Sequence, residues 1–156
     1  MVSRLIDTDK FDTILDICAG NGRIKTFLPE GIRYIPVDYI PYSGETVVCD
    51  LTKYEFPELH FDPSSTCVLL IGSICYSPDW RWLLRKIAAS GDTFICTHSD
   101  FVRINREYRR SHYTHNNAIF NHQIILEMQR LGFTMTEGYD WHLRHVIMKF
   151  ERSRSL

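Results

Sequence analysis

A glycine turn near the N-terminus constrains the fold of this chain more than any other feature. The apolar, β-branched run Thr13–Ile17 contains Asp16 and leads into a turn with two glycines one residue apart, Gly20 and Gly22. Apolar residues at helical spacing follow the turn. A strand, a glycine turn and a helix in this order bring backbone N–H groups against a ligand. The sequence therefore predicts a ligand site at the carboxyl end of the first strand.

Composition limits the classes of protein to which this turn can belong. The 156 residues suffice for one domain, and 44% apolar and 24% charged residues are ordinary for a globular protein. The formal net charge of −1 argues against bulk electrostatic binding of nucleic acid. We find no signal-peptide pattern and no apolar run of the roughly 18 residues that a membrane span needs. The five cysteines are odd in number and form no CxxC pair, so we expect reduced thiols in a cytoplasmic protein.

Strand and helix patterns alternate along the chain and predict an α/β sandwich of about seven strands. The most continuous apolar run, Thr66–Ile71, suits a central parallel strand that is buried on both faces. Residues 133–139 and 143–150 predict a closing hairpin. The other predicted elements are strands over 11–17, 32–37, 46–49 and 93–97, a short helix from Gly22, and helices over 78–90 and 118–131.

The connection between the second and third predicted strands is unusually short. Eight residues separate Asp38 from Val47. Parallel strands need a connection of about a dozen residues or more when a helix crosses between them. We therefore expect a bare loop there, or a unit that has lost its helix.

Three aspartates, Asp16, Asp38 and Asp50, lie at or near the carboxyl ends of predicted strands. Ligands of open parallel sheets bind outside those ends. Asp38 follows the glycine turn by about 18 residues, which suits a carboxylate that accepts hydrogen bonds from both hydroxyls of a ribose. One such acid is commonly a loop or capping residue, whereas three behind a glycine turn favour a ligand site.

The glycine turn lacks the third glycine of a dinucleotide-binding fingerprint. The pattern G-x-G-x-x-G would place that glycine three residues after Gly22, where this chain has Lys25. The third glycine permits close packing of the helix on the strand. Its absence argues against an NAD-dependent enzyme.

The segment Asp16-Ile-Cys-Ala-Gly20-Asn-Gly22 resembles the first motif of class I S-adenosylmethionine-dependent methyltransferases, whose pattern is acid-x-Gly-x-Gly-x-Gly. Val37-Asp38, Cys49-Asp50-Leu51 and the closing helix and hairpin are similar to later landmarks of that family. The resemblance covers nearly the whole chain and implies a single domain over residues 1–156. It also implies a Rossmann-like three-layer sandwich, with a mostly parallel seven-stranded sheet and a C-terminal antiparallel hairpin. Cys18 stands where the family usually has its first glycine.

The resemblance implies S-adenosylmethionine as the cofactor and assigns residues to its parts. Asp16 would reach the methionine amino group, Asp38 the ribose hydroxyls and Asp50 the adenine amino group. The other implied contacts are Ala19, Gly20, Asn21 and Gly22 in the turn, Tyr39 beside the adenine, the backbone N–H of Leu51, and Gly72 and Ser73 near the transferable methyl group.

Two regions are candidates for the side of the site that binds the methyl acceptor. Tyr76 either lines the methyl site or packs on the adjacent helix. Residues 98–116 contain four arginines, and they predict either a lid for an anionic group, which arginine binds in a bidentate fashion, or a solvated basic loop. His98 is either a general base or a loop histidine. The substrate contacts predicted in this segment are Arg103, Arg106, Tyr108, Arg109 and Tyr113.

Two functions are compatible with these patterns. The first is methyl transfer to a small, anionic acceptor, such as a sugar or nucleotide-linked metabolite, by in-line attack on the sulfonium methyl group. That reaction needs positioning and no metal, and the pairs His112/His115 and His142/His145 lack a cysteine that would complete a metal site. The second is a methyltransferase-like binding or scaffold module without turnover. The core lacks the usual covering helices, so it leaves apolar surface that a second copy of the chain could cover as a homodimer.

Overall fold

The computed structural model describes residues 2–99, 119–141 and 145–153, and a mixed seven-stranded sheet forms its centre. The strands are β1 (Thr13–Ile17), β2 (Arg33–Asp38), β3 (Val47–Val48), β4 (Thr66–Ile71), β5 (Thr93–His98), β6 (Phe133–Trp141) and β7 (His145–Arg152). Their order in the sheet is β3-β2-β1-β4-β5-β7-β6. Strands β1 to β5 are parallel, and β7 is antiparallel to both β5 and β6. The predicted Rossmann-like sheet with its antiparallel end is confirmed.

The central strand is β4, as its apolar run predicts. It pairs with β1 on one side and with β5 on the other. The side chains from Cys67 to Leu70 are fully buried, with alternate residues packing against opposite faces. A strand covered on both faces has no polar side to present to water, which explains why its sequence does not alternate.

Two α-helices, α1 (Trp80–Ser90) and α2 (Asn121–Arg130), pack on the same face of the sheet. Leu83, Leu84 and Ile87 of α1 are buried there against the strands. Asp79 caps the start of α1, because its carboxylate accepts hydrogen bonds from two backbone N–H groups of the first turn. The sequence predicted a longer second helix, over 118–131, than the structure shows.

The opposite face of the sheet is covered by shorter elements. Two 3₁₀ helices, Val2–Leu5 and Arg23–Phe27, lie on this side, and their apolar side chains pack around Ile14, Leu69 and Ile95. The predicted helix after Gly22 is thus a five-residue 3₁₀ helix. Pro29 and Gly31 follow closely, and a segment this short cannot form a stable α-helix. In the part of the chain that the structure describes, this third layer therefore consists of short elements.

The connection from β2 to β3 is the bare loop that its length allows. Strand β3 is parallel to β2 and has only two residues, so Val37 pairs with Val47 and Asp38 with Val48. The described segment 39–46 contains no helix. The backbone N–H of Cys49 donates to the carbonyl of Asp38 at 2.9 Å, which holds the end of β3 beside the end of β2.

All five cysteines are free thiols, and Cys49, Cys67 and Cys96 are buried.

Within the part of the chain that the structure describes, none of the helices combines the length and the apolar character that crossing a bilayer requires.

Candidate functional site

The carboxyl ends of β1 to β4 open onto a cleft of about 590 Å³. Pockets for small molecules have volumes of about 300–1,000 Å³. The walls are formed by the residues that follow each strand, and they combine aromatic rings, carboxylates and thiols. The described lining residues are Cys18, Asp38, Tyr39, Tyr42, Cys49, Asp50, Leu51, Thr52, Ser73 and Tyr76.

The turn after β1 has a left-handed backbone at Cys18, the position where the methyltransferase pattern usually has its first glycine. Gly20 and Gly22 have φ values of 55° and 67°, and Cys18 has a φ of 56°. A residue with a Cβ atom in this region is strained by about 1–2 kcal/mol. The turn is held by the Ala19 N–H, which donates to the Val37 carbonyl at 3.0 Å. Cys18 therefore adopts the conformation of a glycine while its side chain lines the cleft.

Asp38 joins the glycine turn to the loop that follows β2. Its Oδ2 accepts a hydrogen bond from the Gly20 N–H at 2.8 Å, and its Oδ1 accepts one from the Ile40 N–H at 3.2 Å. The residue is buried but lines the cleft. A carboxylate has about four acceptor positions, so Asp38 retains capacity for two hydroxyl donors. This geometry fits the predicted contact with a ribose.

Asp16 lies beneath the turn rather than in the described wall of the cleft. The Tyr34 hydroxyl donates to its Oδ2 at 2.6 Å. Burial raises the pKa of Asp16 to about 6; the hydrogen bond from Tyr34 opposes this shift, and the charge of Asp38 adds to it. Burial, followed by the Asp16 charge, raises the pKa of Tyr34 as well. The described partner of the Asp16 carboxylate is thus Tyr34, and its contact with a cofactor amino group stays a prediction.

Asp50 and Leu51 form the wall at the end of β3. Asp50 caps the 3₁₀ helix Leu51–Lys53, and its Oδ1 accepts from the N–H and the hydroxyl of Thr52 at 3.0 and 2.6 Å. The hydroxyl of Thr52 and then Lys53 hold the pKa of Asp50 below its usual value. The Leu51 N–H lies at the helix start, where the helix itself supplies no acceptor. An acceptor side chain next to such a donor fits the edge of an adenine ring.

Ser73 and Tyr76 extend the site past the end of β4. Gly72 has a φ of 71°, and its N–H donates to the Thr97 carbonyl at 3.2 Å. Ser73 is buried beside Cys18, and Tyr76 is half exposed in the cleft wall. Burial, followed by the charge of Asp38, raises the pKa of the Cys18 thiol to about 12. The thiol is therefore neutral at physiological pH.

His98, the predicted base, is not among the described lining residues of the cleft, and one of its ring nitrogens is hydrogen-bonded to the backbone. His98 is 7% exposed, and its Nε2 lies 2.9 Å from the Ile119 carbonyl oxygen. A carbonyl only accepts hydrogen bonds, so this nitrogen carries a proton and donates it. The predicted substrate residues Arg103, Arg106, Tyr108, Arg109 and Tyr113 lie outside the described residues. Across the described segments, no three His, Cys, Asp or Glu side chains come together as a metal site.

A smaller cavity of about 210 Å³ adjoins the cleft. Predicted turn residues Gly20, Asn21 and Gly22 line this cavity, whereas Ala19 and Gly72 belong to neither lining. Tyr42 lines both cavities. Sequence reasoning missed Tyr42, Cys49 and Thr52. The signal for Tyr42 was the short connection after Asp38, because a loop without a helix keeps its side chains at the strand ends.

Comparison with solved structures identifies the fold. The sequence matches no family model and no curated protein. A chain of the complex between the Haloferax volcanii Trm112 methyltransferase activator and a methyltransferase is similar with a TM-score of 0.73 and 14% identity, over 99% of this chain and 88% of that one. Magnesium protoporphyrin IX methyltransferase from Synechocystis PCC 6803, solved with bound SAH, is similar with a TM-score of 0.70 and 12% identity, over 97% of this chain and 80% of that one. The [4+2]-cyclase SpnF is similar with a TM-score of 0.69 and 9% identity, over 98% of this chain and 81% of that one.

These similarities extend over nearly the whole of this chain and over 80% to 88% of the other chain in each pair. The protein has the fold of the class I S-adenosylmethionine-dependent methyltransferases, which confirms the resemblance at the level of the fold. The same fold in a cyclase means that the fold alone does not determine the reaction.

Proposed function

We propose that the protein binds S-adenosylmethionine in the cleft and directs its methyl group to a small acceptor. The observation that carries the proposal is the position of Asp38. This carboxylate fixes the glycine turn through Gly20 and still faces a cleft of about 590 Å³ with acceptor capacity to spare. A vicinal diol is the group that two free acceptor positions on one carboxylate match best.

The residues around the cleft fit the parts of this cofactor. Asp38 would hold the ribose, with the exposed ring of Tyr39 beside the adenine. Asp50 and the Leu51 N–H would bind the adenine edge as acceptor and donor. The methionine part would extend along the glycine turn towards Cys18 and Ser73. The Synechocystis neighbour was solved with SAH bound, which supports an adenosyl ligand in this fold.

Positioning supplies much of the rate in a displacement of this kind. When bound, the cofactor supplies an electrophilic methyl group on a sulfonium. The neutral Cys18 thiol and the buried Ser73 would lie beside the sulfonium, while Tyr76 forms the wall where an acceptor enters. We further propose an anionic acceptor bound by Arg103, Arg106 and Arg109, and a cytoplasmic protein, in keeping with its free thiols.

A methyltransferase-like module that binds the cofactor without turnover is the second candidate. One observation favours it: the described wall of the cleft contains no histidine or lysine that could accept a proton from a hydroxyl or ammonium acceptor. SpnF shows that proteins of this fold are not all methyltransferases. Binding and transfer must therefore be tested separately.

Calorimetric titration tests the binding step. S-adenosylmethionine and S-adenosylhomocysteine should bind with one site per chain, and NAD should bind far more weakly. No heat with either sulfur compound would contradict the proposal. Incubation with methyl-labelled cofactor and a panel of small carboxylates, phosphates and amines tests transfer. Tight binding of the cofactor without transfer of the labelled methyl group to any of these acceptors would favour the cofactor-binding module without turnover.

A further inference from the structure

The loop that replaces the crossover helix forms one wall of the cleft. We call residues 39–46 the strap. None of its side chains is buried; Tyr39 is 66% exposed and Tyr42 is 53% exposed. Apolar packing therefore does not fix the position of the strap, and polar contacts must do so.

These polar contacts lie at the root, inside and near the far end of the strap. At the root, the Ile40 N–H donates to Asp38 Oδ1 at 3.2 Å. Inside, the Ser43 N–H donates to the Thr46 hydroxyl at 3.1 Å. Near the far end, Lys25 Nζ lies 2.5 Å from Glu45 Oε2. Lys25 belongs to the 3₁₀ helix after the glycine turn, so this ion pair connects the strap to the turn.

Tyr42 connects the strap to both cavities. Its side chain lines the cleft of about 590 Å³ and the adjoining cavity of about 210 Å³. Lys25 and Glu45 line the smaller cavity. The ion pair is thus on one side of Tyr42 and the cleft on the other, so the position of the strap decides how far Tyr42 closes the cleft.

We propose that the Lys25–Glu45 ion pair is a clasp that holds the strap closed over the cleft and slows the release of the bound ligand. Lys25 and Glu45 are positioning residues, and Tyr42 is the side chain that the closed strap holds against the ligand. The identity of that ligand as an adenosyl compound rests on the proposed function. The clasp also explains why Lys25 can stand where a dinucleotide-binding pattern would have its third glycine.

The size of the expected effect follows from the exposure of the pair. The side chains of Lys25 and Glu45 are 52% and 63% exposed. Exposed ion pairs are weak, so breaking this pair should accelerate ligand release by about two- to fivefold. Salt should have the same effect, because the Debye length falls to about 3 Å at about 1 M.

Charge reversal tests the clasp. The dissociation rate of S-adenosylhomocysteine is measured by stopped-flow displacement for wild type, K25E, E45K and the double variant K25E/E45K. Each single variant should release the ligand faster, and the double variant should return to the wild-type rate. K10E is the control, because it breaks the Lys10–Glu151 pair, 3.1 Å apart and 37% and 33% exposed, at the end of the sheet where β1 and β5 begin. Its dissociation rate should equal that of wild type.

A second measurement needs no ligand. Cys18 and Cys49 line the cleft, whereas Cys67 and Cys96 are fully buried. Iodoacetamide reacts with the thiolate, which burial disfavours in the closed state, so a strap that opens should raise the rate at Cys18 and Cys49 by admitting both water and reagent. Mass spectrometry of each cysteine peptide should therefore show faster alkylation of these two residues in the single variants and the wild-type rate in the double variant. Cys67 and Cys96 serve as controls within the same molecule.

The two measurements separate the clasp from the identity of the ligand. If S-adenosylhomocysteine does not bind but alkylation responds as described, the clasp stands and the proposed function fails. If the compound binds and neither its release nor the alkylation changes in K25E and E45K, the clasp is overturned. A double variant as fast as the single variants would also overturn it.

Tyr42 has its own test in the same displacement experiment. Tyr42→Ala should release S-adenosylhomocysteine faster than wild type, and Tyr42→Phe, which keeps the ring, should not. Tyr54→Ala is the matched control, since Tyr54 is equally exposed at 53% and contacts Trp82 outside the cleft lining. Equal rates for Tyr42→Ala and wild type would remove Tyr42 from the proposal.

Discussion

The carboxylate of Asp38 accepts a hydrogen bond from the backbone N–H of Gly20 at 2.8 Å. This contact joins the end of β2 to the turn after β1, at the carboxyl ends of two adjacent parallel strands. The residue assigned to the ligand is therefore also a structural residue. Any variant of Asp38 has to be judged by its stability as well as by its affinity.

Asp38→Ala and Asp38→Asn should separate these two roles. Alanine leaves the Gly20 N–H without its acceptor, which should lower the free energy of unfolding by about 1–3 kcal/mol. Asparagine retains one acceptor oxygen and should lose less stability. Both should bind S-adenosylhomocysteine at least about tenfold more weakly, since loss of a charged hydrogen-bond partner costs about 1.5–3 kcal/mol. Denaturant unfolding and calorimetry measure the two effects.

The control for these variants is Asp62→Asn. Like Asp38, Asp62 accepts a hydrogen bond from a backbone N–H, in its case at the start of a 3₁₀ helix, but it lies outside the cleft. Its substitution should leave the affinity unchanged. Wild-type affinity in Asp38→Asn would show that Asp38 is not the ligand acid.

Cys18 is strained by its left-handed backbone, with a φ of 56°. Cys18→Gly and Cys18→Ala both remove the thiol, but only glycine relieves the strain of a Cβ atom in this conformation. The glycine variant should therefore be more stable than the alanine variant by about 1 kcal/mol. Thermal and denaturant unfolding measure the difference. Equal stability of the two variants would mean that the turn relaxes to another conformation.

Asp16 should make the stability of the protein depend on pH. Its pKa is raised from 3.8 to about 6 in the folded state, so the folded state binds more protons than the unfolded state between these values. The contribution of Asp16 to stability is then greatest below pH 3.8 and falls as the pH rises to about 6, by at most about 3 kcal/mol. Asp16→Asn should remove this fall. The measurement is the free energy of unfolding of both proteins across that range.

Tyr34→Phe gives an independent check on the pH effect. The Tyr34 hydroxyl donates to Asp16 and opposes the rise in its pKa. Without it, the pKa of Asp16 should rise further and the decline in stability should extend to higher pH. A difference between wild type and Asp16→Asn that stays constant with pH would contradict both expectations.

Gly91 marks a close approach between the end of α1 and β4. A Cβ atom there would lie 2.7 Å from the Thr66 carbonyl oxygen and 2.9 Å from a methyl carbon of Val68. Gly91→Ala should therefore lower the free energy of unfolding by about 1–3 kcal/mol, the range for overpacked sites. Gly44→Ala is the control, because a Cβ atom at Gly44 would meet nothing within 4 Å. Equal stability of the two variants would show that α1 can shift away from β4.

Much of the sheet follows directly from local sequence. The run Thr66–Ile71 predicts β4 to the residue, since a strand covered on both faces accepts consecutive apolar side chains and six residues suit a strand better than a helix. The strand predicted over 32–37 is present with its bounds moved by one residue, so that Asp38 is the last residue of β2. The short connection after Asp38 correctly limits the choice to a loop or a lost helix.

The contacts inside the site depend on distances that no local pattern contains. Asp16 meets Tyr34 because β1 and β2 pair with Asp16 opposite Pro36, and this register places the phenol beneath the turn. Lys25 meets Glu45 because the strap folds back on the turn. The sequence places His98 just after the strand predicted over 93–97, but it is the last residue of β5. Its partner, the carbonyl of Ile119, lies 21 residues away in sequence.

The central claim is that the cleft beside Asp38 binds an adenosyl compound. A crystal structure of the protein with S-adenosylhomocysteine tests it most directly. We predict the ribose hydroxyls within hydrogen-bonding distance of the Asp38 carboxylate and the adenine next to Asp50 and Leu51. A compound bound elsewhere on the protein, or a ribose that makes no contact with Asp38, would contradict the account.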